Sequence, residues 1–258
     1  MDEVSRYLFK EMRRFFLLII VIMAAIAANA QVRKVQNKPY IDLRPLHFGL
    51  SVGLNMQDIE FQNIGPRMVE IPEQGETEQL VLCDADTWNP GFSVGVLADM
   101  RLSQHFSFRV TPQMHFGSKH LVFRNFKELN DGDNPTEQTQ DMKNTYISVP
   151  ATLKFSAERF NNYRPYILAG VNGMINLSGK DQDFLQLKRY DALFEVGLGC
   201  DFYLPFFKLI PELKFGYSLL DVLNKNHVNE LTDINKRIFS ESVSGAHSKM
   251  FVLTLYFE

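Results

Sequence analysis

The histidines are the first residues to test for chemistry. His120, His227 and His247 lie in polar stretches, with Ser118, Asp221, Asp233 and Ser248 near them in sequence. A nucleophilic centre needs a Ser or Cys within hydrogen-bond reach of a His that an acid orients, which is a matter of geometry. A metal centre needs several ligands at a characteristic spacing. No pair here has such a spacing, so these residues read as solvated loop side chains, and His105 as an ordinary turn residue. The run Asn130-Asp131-Gly132-Asp133-Asn134-Pro135 has oxygen donors but lacks the spacing and closing Glu of a calcium loop. Asn, Asp, Gly and Pro together are turn chemistry. The sequence therefore predicts no catalytic, metal or cofactor site and no small-molecule substrate.

A second set of charges is more regular. Asp99, Arg101, Arg109, Lys154, Glu195, Asp201, Glu212 and Lys214 each sit between apolar neighbours, and they comprise four acids and four bases. Charges on an alternating segment face away from its apolar side. If that side meets lipid, the charges face a common interior, where they persist only when paired and hydrogen-bonded. The expected chemistry is a neutral, salt-bridged network inside a barrel.

The segments that would position these charges recur with a period of two, the pattern of a membrane β-strand. Phe48, Leu50, Val52, Leu54 and Met56 alternate with His47, Gly49, Ser51, Gly53 and Asn55. Further segments set Phe92–Leu102, Phe106–Phe116, Ile147–Phe155, Ile167–Ile175, Tyr190–Phe202, Leu209–Tyr217 and Phe251–Phe257 outward in the same way. These predict an all-β fold: an eight-stranded antiparallel transmembrane β-barrel over residues 46–258. Ser103–His105, Ala157–Asn162 and Pro205–Phe207 are short turns, whereas Gln57–Asn89, Ser118–Asn144, Ser178–Arg189 and Asp221–Lys249 are longer and polar. Short turns belong to the periplasm and long loops to the outside, so both termini are expected in the periplasm. Pro112, Pro150, Pro165 and Pro211 cannot donate to a ladder and are expected at bulges, strand ends or local breaks. Trp88, Tyr163, Tyr203, Phe206 and Phe207 fall at strand ends, where aromatic girdles anchor a barrel.

Ahead of the barrel, Arg6, Lys10, Arg13 and Arg14 precede an apolar run from Phe15 to Ala28 that ends in Ala28-Asn29-Ala30. The run is shorter than the roughly 20 residues of a membrane helix. It has the form of a cleaved signal peptide over residues 1–30, with a single-helix anchor as the rival reading. Residues 31–45, with Arg33, Lys34 and Lys38, would form a periplasmic segment. Beyond the leader 23 basic residues face 27 acidic ones, a balance that argues against nucleic-acid binding. Cys83, in an outer loop, and Cys200, on the membrane face, are expected to be unpaired.

An eight-stranded barrel is just wide enough for its own side chains. A closed interior is therefore expected rather than a pore, because ion paths tend to show one sign of charge along the wall. Val69-Glu70-Ile71-Pro72 and Leu80-Val81-Leu82 are apolar pieces in the first long loop. They could fold over the barrel mouth or dock a partner.

The segment Leu43-Arg44-Pro45-Leu46-His47-Phe48-Gly49-Leu50, running on to Gly53-Leu54-Asn55, resembles the opening of the PorT family. Tyr146-Ile147-Ser148-Val149-Pro150, Arg164-Pro165-Tyr166, Pro211-Glu212-Leu213 and Leu255-Tyr256-Phe257-Glu258 are similar to its later strands. The resemblance implies an outer-membrane barrel needed for type IX protein secretion, and for gliding in relatives that glide, with other secretion components and outer-membrane lipid as partners. Members have been described as protein-translocating porins. A lumen that eight strands barely enclose argues instead for an accessory or assembly role without catalysis. The competing expectations are a surface-binding or adhesin-like barrel, a narrow porin, and an enzyme acting at the rim.

Overall fold

In the computed structural model the described residues are 35–71, 75–85, 88–129, 135–178, 184–225 and 238–258. The predicted signal peptide, His227, Asp233 and residues 130–134 lie outside them. The compact unit Lys38–Glu258 contains every strand described below. A 3-10 turn, Ile41–Leu43, precedes β1 (Leu46–Asn63). Then come β2 (Arg67–Ile71), β3 (Gly75–Gln79), β4 (Val81–Ala85), β5 (Asn89–Arg101), β6 (Phe106–Val110) and β7 (Gln113–Leu129). The chain continues through β8 (Pro135–Ser156), β9 (Tyr163–Asn176), β10 (Tyr190–Tyr203), β11 (Lys208–Ser218) and β12 (Val243–Phe257).

The wall is an antiparallel meander closed on itself. β1 pairs with β5, β5 with β6 and β7, these with β8, and so on to β12, which returns to β1. The closing seam runs from Leu50↔Phe257 to Asn63↔Val243. β6 and β7 share one place in the wall, so the closed ring has eight positions, and closure leaves it without an edge. Period-two alternation dictates the two faces. Phe48, Leu50, Val52 and Leu54 on β1 and Phe251, Leu253, Leu255 and Phe257 on β12 are exposed. Ser51, Asn55, Val252, Thr254 and Tyr256 between them are buried inside. A continuous exposed apolar belt around a closed sheet suits a bilayer as solvent.

The prolines sit where a ladder can do without a donor. Between β6 and β7, Thr111 N–H donates to the Pro150 carbonyl at 3.2 Å and Val96 N–H to the Pro112 carbonyl at 3.0 Å. Val110↔Ala151 and Gln113↔Ser148 keep one register across that gap, so it is a break and not a bulge. Pro165 is the third residue of β9, and at Pro211 the β10–β11 pairing skips from Gly199↔Glu212 to Phe202↔Leu209.

Two of the predicted long polar loops are largely strand. β7 and β8 rise past the apolar belt as one hairpin, paired as far as Leu129↔Pro135, and β1 runs to Asn63. β4 folds back to pair with β7 from Val81↔Asn125 to Ala85↔Leu121, which places the Leu80-Val81-Leu82 piece against the barrel. A second apolar core forms there from Ile59, Val81, Leu121, Phe123, Leu185 and Val222. Phe123, Phe184 and Phe239 meet edge to face at 5.2–5.6 Å. The alternation continues through polar outer residues, and composition alone disguised it as loop.

Cys83 belongs to this core and Cys200 lies half-buried on the outer face; both are free. Cys83 is thus in a strand rather than a loop. Burial, and then the charge of Asp84, push its thiol well above the usual range, and the thiolate is the reactive form. A maleimide should therefore leave Cys83 unlabelled in the folded barrel and label it after denaturation. Rapid labelling of the native protein, read by mass spectrometry, would contradict the packing of β4.

Candidate functional site

The inward residues at the end with the short turns form one ionic network. Arg109, on β6, is 1% exposed. Its Nε and Nη2 donate to Asp99 Oδ2 on β5 at 3.0 and 2.8 Å, and its Nη1 donates to Glu212 Oε2 on β11 at 2.6 Å. The planar guanidinium fork suits such a bridge between two carboxylates. Glu212 also accepts from the Tyr166 hydroxyl at 2.6 Å and the Tyr256 hydroxyl at 2.9 Å. Each ring lies near the guanidinium, with Arg109 Cζ 5.2 and 5.5 Å from their centroids. One side chain thus ties β6 to β5, β9, β11 and β12 across the lumen.

The network continues toward the turn end. Lys154, on β8, donates to both oxygens of Asp201 on β10 at 3.0 and 2.9 Å, and its ammonium lies 3.9 Å from the Tyr166 centroid. Lys208 lies 3.3 Å from Asp201 and 3.0 Å from Glu258, which also bonds His47. Above Arg109, Lys214 lies 3.8 Å from Glu212 and 3.7 Å from Glu195, which accepts from Asn172 Nδ2 at 2.6 Å. Acids and bases alternate through the lumen, so each charge meets its opposite.

Of the eight charges singled out in the sequence, Asp99, Arg109, Lys154, Glu195, Asp201, Glu212 and Lys214 come together inside. Arg101 stands apart. It is half-buried at the rim, with its guanidinium toward the Ser103 and Leu43 carbonyls. It is the last residue of β5, where the alternation no longer dictates burial. Lys208 and Glu258 complete the network with the inward His47 of β1; these two were missed as charges, although the phase of β11 and β12 was signal enough. Lys208 is in step with Glu212, and Glu258 with Tyr256.

Tyr203 is not a girdle residue. It is buried, its hydroxyl donates to Asp42 at 2.7 Å, and the Arg159 guanidinium stacks 3.6 Å from its ring. Arg159 also donates to the Lys38 carbonyl at 3.1 Å. The segment Lys38–Pro45 is thereby held under the turn end. Trp88, Tyr163, Phe206 and Phe207 are exposed at strand ends.

The catalytic candidates among the described residues stand with other partners. His120 bonds Asp141 across the β7–β8 hairpin, and Ser118 pairs with Lys143 further along it. Ser248 pairs with Ile59, and the His247 ring stacks on Tyr217 at 5.8 Å. Among the described residues no cluster of three or more His, Cys, Asp or Glu side chains could hold a metal.

Asp221 has a structural task. Its Oδ1 accepts from the Ala246 amide at 3.0 Å and the Leu223 amide at 3.1 Å, and Lys225 lies 2.9 Å from its Oδ2. Burial opposes the charge, but these donors outweigh it and hold the carboxyl at about 2. A lowered carboxyl stabilises the fold fully above the ordinary carboxylate pKa and loses that contribution as pH falls through the lowered value. The Ala246 amide shift followed by NMR should titrate near pH 2. A midpoint near ~4, the unperturbed Asp value, would contradict this clamp.

A family model described as outer membrane protein beta-barrel domain matches residues 29–224. Among solved structures, the neisserial surface protein A has 12% identity and a TM-score of 0.38, over 83% of this chain and 98% of its own. OprG of Pseudomonas aeruginosa has 11% identity and a TM-score of 0.41, over 88% and 97%. Ail, the attachment invasion locus protein of Yersinia pestis, has 11% identity and a TM-score of 0.34, over 81% and 96%. No curated protein matches the chain.

Proposed function

Since this chain belongs to the outer membrane protein beta-barrel domain family, we propose that it is an accessory or assembly component of type IX secretion in the outer membrane. In this reading the barrel carries no catalytic centre, both termini face the periplasm, and the loop end faces outward. The observation that carries the accessory role is the ion-paired lumen. Arg109, Lys154, Asp201 and Glu212 occupy the space through which cargo would pass, and eight strands leave no room beside them. Such a barrel acts through its rims, where lipid and other secretion components are the expected partners. The secretion assignment rests on the PorT resemblance of the opening segment and the later strands.

The test is removal and restoration of the protein in cells, with type IX cargo followed to the surface and the medium. Cargo retained on removal and released on restoration supports the reading. Normal export would sink it. A surface-binding barrel is then the reading that remains, and the ordered second core around Phe123 favours it as a platform for contacts.

A further inference from the structure

β8 outlasts its neighbour. Its pairing with β9 ends at Tyr146↔Asn176, while β8 itself begins at Pro135. Beyond that last pair β8 has no strand partner on this side among the described residues, and the strap 184–189 that leads into β10 lies across from it. Gln140 clamps the strap, donating to the Leu185 carbonyl and accepting from the Leu185 amide, both at 3.0 Å. The Lys188 amide ties it to the Val222 carbonyl at 2.7 Å. Between β8 and the strap is a cavity of about 430 Å³, within the range of small-ligand sites.

Its lining has a distinct chemistry. Carboxamides such as Gln140, Asn144 and Asn176 alternate there with apolar side chains such as Met142 and Leu187, and Lys143, Lys188 and Arg189 stand exposed at its edge, with no Asp or Glu among the described lining residues. Gln140 is occupied by the strap, but Asn144 is not. Asn144 is 2% exposed, and neither its Nδ2 nor its Oδ1 has a hydrogen-bond partner. A buried carboxamide with donor and acceptor both idle is an unusual feature in a folded protein. It matches a ligand hydroxyl, which donates and accepts at once. The three cations add a preference for negative charge. Leu177, 45% exposed, lines the same cavity; Ile175 of the outward apolar face precedes it by two residues and pairs with Ile147 on β8. The opening is therefore near the level of lipid headgroups.

We propose that this cavity binds an anionic saccharide, with Asn144 bonding a sugar hydroxyl and Lys143 and Arg189 neutralising a phosphate or acidic substituent. The same chemistry is offered by the phosphorylated saccharide headgroup of lipopolysaccharide and by a soluble acidic saccharide. The inference is independent of the secretion reading, since cargo export plays no part in its test.

The full barrel in phosphatidylcholine nanodiscs is titrated with trehalose 6-phosphate and with uncharged trehalose, using NMR or calorimetry. Saturable binding of the phosphorylated sugar is expected, with trehalose at least tenfold weaker. Asn144→Leu should weaken binding tenfold or more without lowering the thermal midpoint, because it replaces an unpartnered amide with an apolar group. Lys143→Gln with Arg189→Gln, both exposed positions, should weaken it to a similar extent. In nanodiscs containing lipopolysaccharide, loss of trehalose 6-phosphate binding identifies the lipid headgroup as occupant, whereas unchanged affinity identifies a soluble saccharide. Absence of saturable binding, equal affinity for trehalose, or unaltered affinity in both variants would overturn the proposal.

Discussion

Arg109→Glu should leave the barrel unable to hold its fold. Among the described residues Arg109 is the only cation in direct contact with both Asp99 and Glu212, and it does so from a position that is 1% exposed. Reversal would put three carboxylates together in a lumen from which water is largely excluded. Removing one partner of a buried pair costs about 3–5 kcal/mol, because the charge left behind is unsatisfied. Reversal adds repulsion to that loss, which together approaches the whole stability of a typical domain, about 5–15 kcal/mol. Arg109→Lys should fall between, since an ammonium lacks the fork that reaches both carboxylates at once. The measurement is the urea midpoint of the refolded barrel in micelles, followed by circular dichroism. An unchanged midpoint in Arg109→Glu would refute the network as a structural element.

Gly170→Val should damage the fold severely while leaving every charge in place. On β9, Gly170 lies between Thr152 of β8 and Glu195 of β10. A Cβ added there would collide with the Ala151 carbonyl and come within 2.6 Å of Thr152 Cα. These are backbone atoms, so relief requires β8 and β9 to separate. Overpacking ordinarily costs about 1–3 kcal/mol, occasionally more, and here the strands flanking Arg109 and Lys154 would part. Gly173, three residues on and therefore on the outer face, is the control. A Cβ there meets nothing within 4 Å. Gly173→Ala should be neutral or slightly stabilising, by up to ~1 kcal/mol through the unfolded state. Equal unfolding midpoints for Gly170→Val and Gly173→Ala would refute the close approach of the two strands.

The membrane half of this barrel was legible because lipid imposes a simple rule on every second residue. Phe48 to Met56 on β1 and Phe251 to Phe257 on β12 obey it without exception, and their phase alone places Ser51, Thr254 and Tyr256 inside. Above the belt that rule lapses. Both faces of the β7–β8 hairpin are polar or mixed there, so Lys119, buried against the Tyr146 hydroxyl, looks in sequence like any loop lysine. The interior charges were legible by parity, but their partners were not. Pairing depends on strand stagger, which brings Lys154 to Asp201, two strands apart, and which no local pattern encodes. Tyr203 misled for a different reason: strand-end position suggested a girdle, although its phase, shared with Asp201, turns it inward beneath Asp42. The cavity beside Asn144 had no sequence signal, because it arises from where β9 stops.

The central claim is that Arg109, Lys154, Asp201 and Glu212 close the lumen. Planar-bilayer recording tests it most directly. The purified, folded barrel should add no steps to the current of a protein-free membrane at either polarity. Stable open-channel steps from the unmodified protein, absent from a heat-denatured control, would contradict a sealed interior and restore a conducting role.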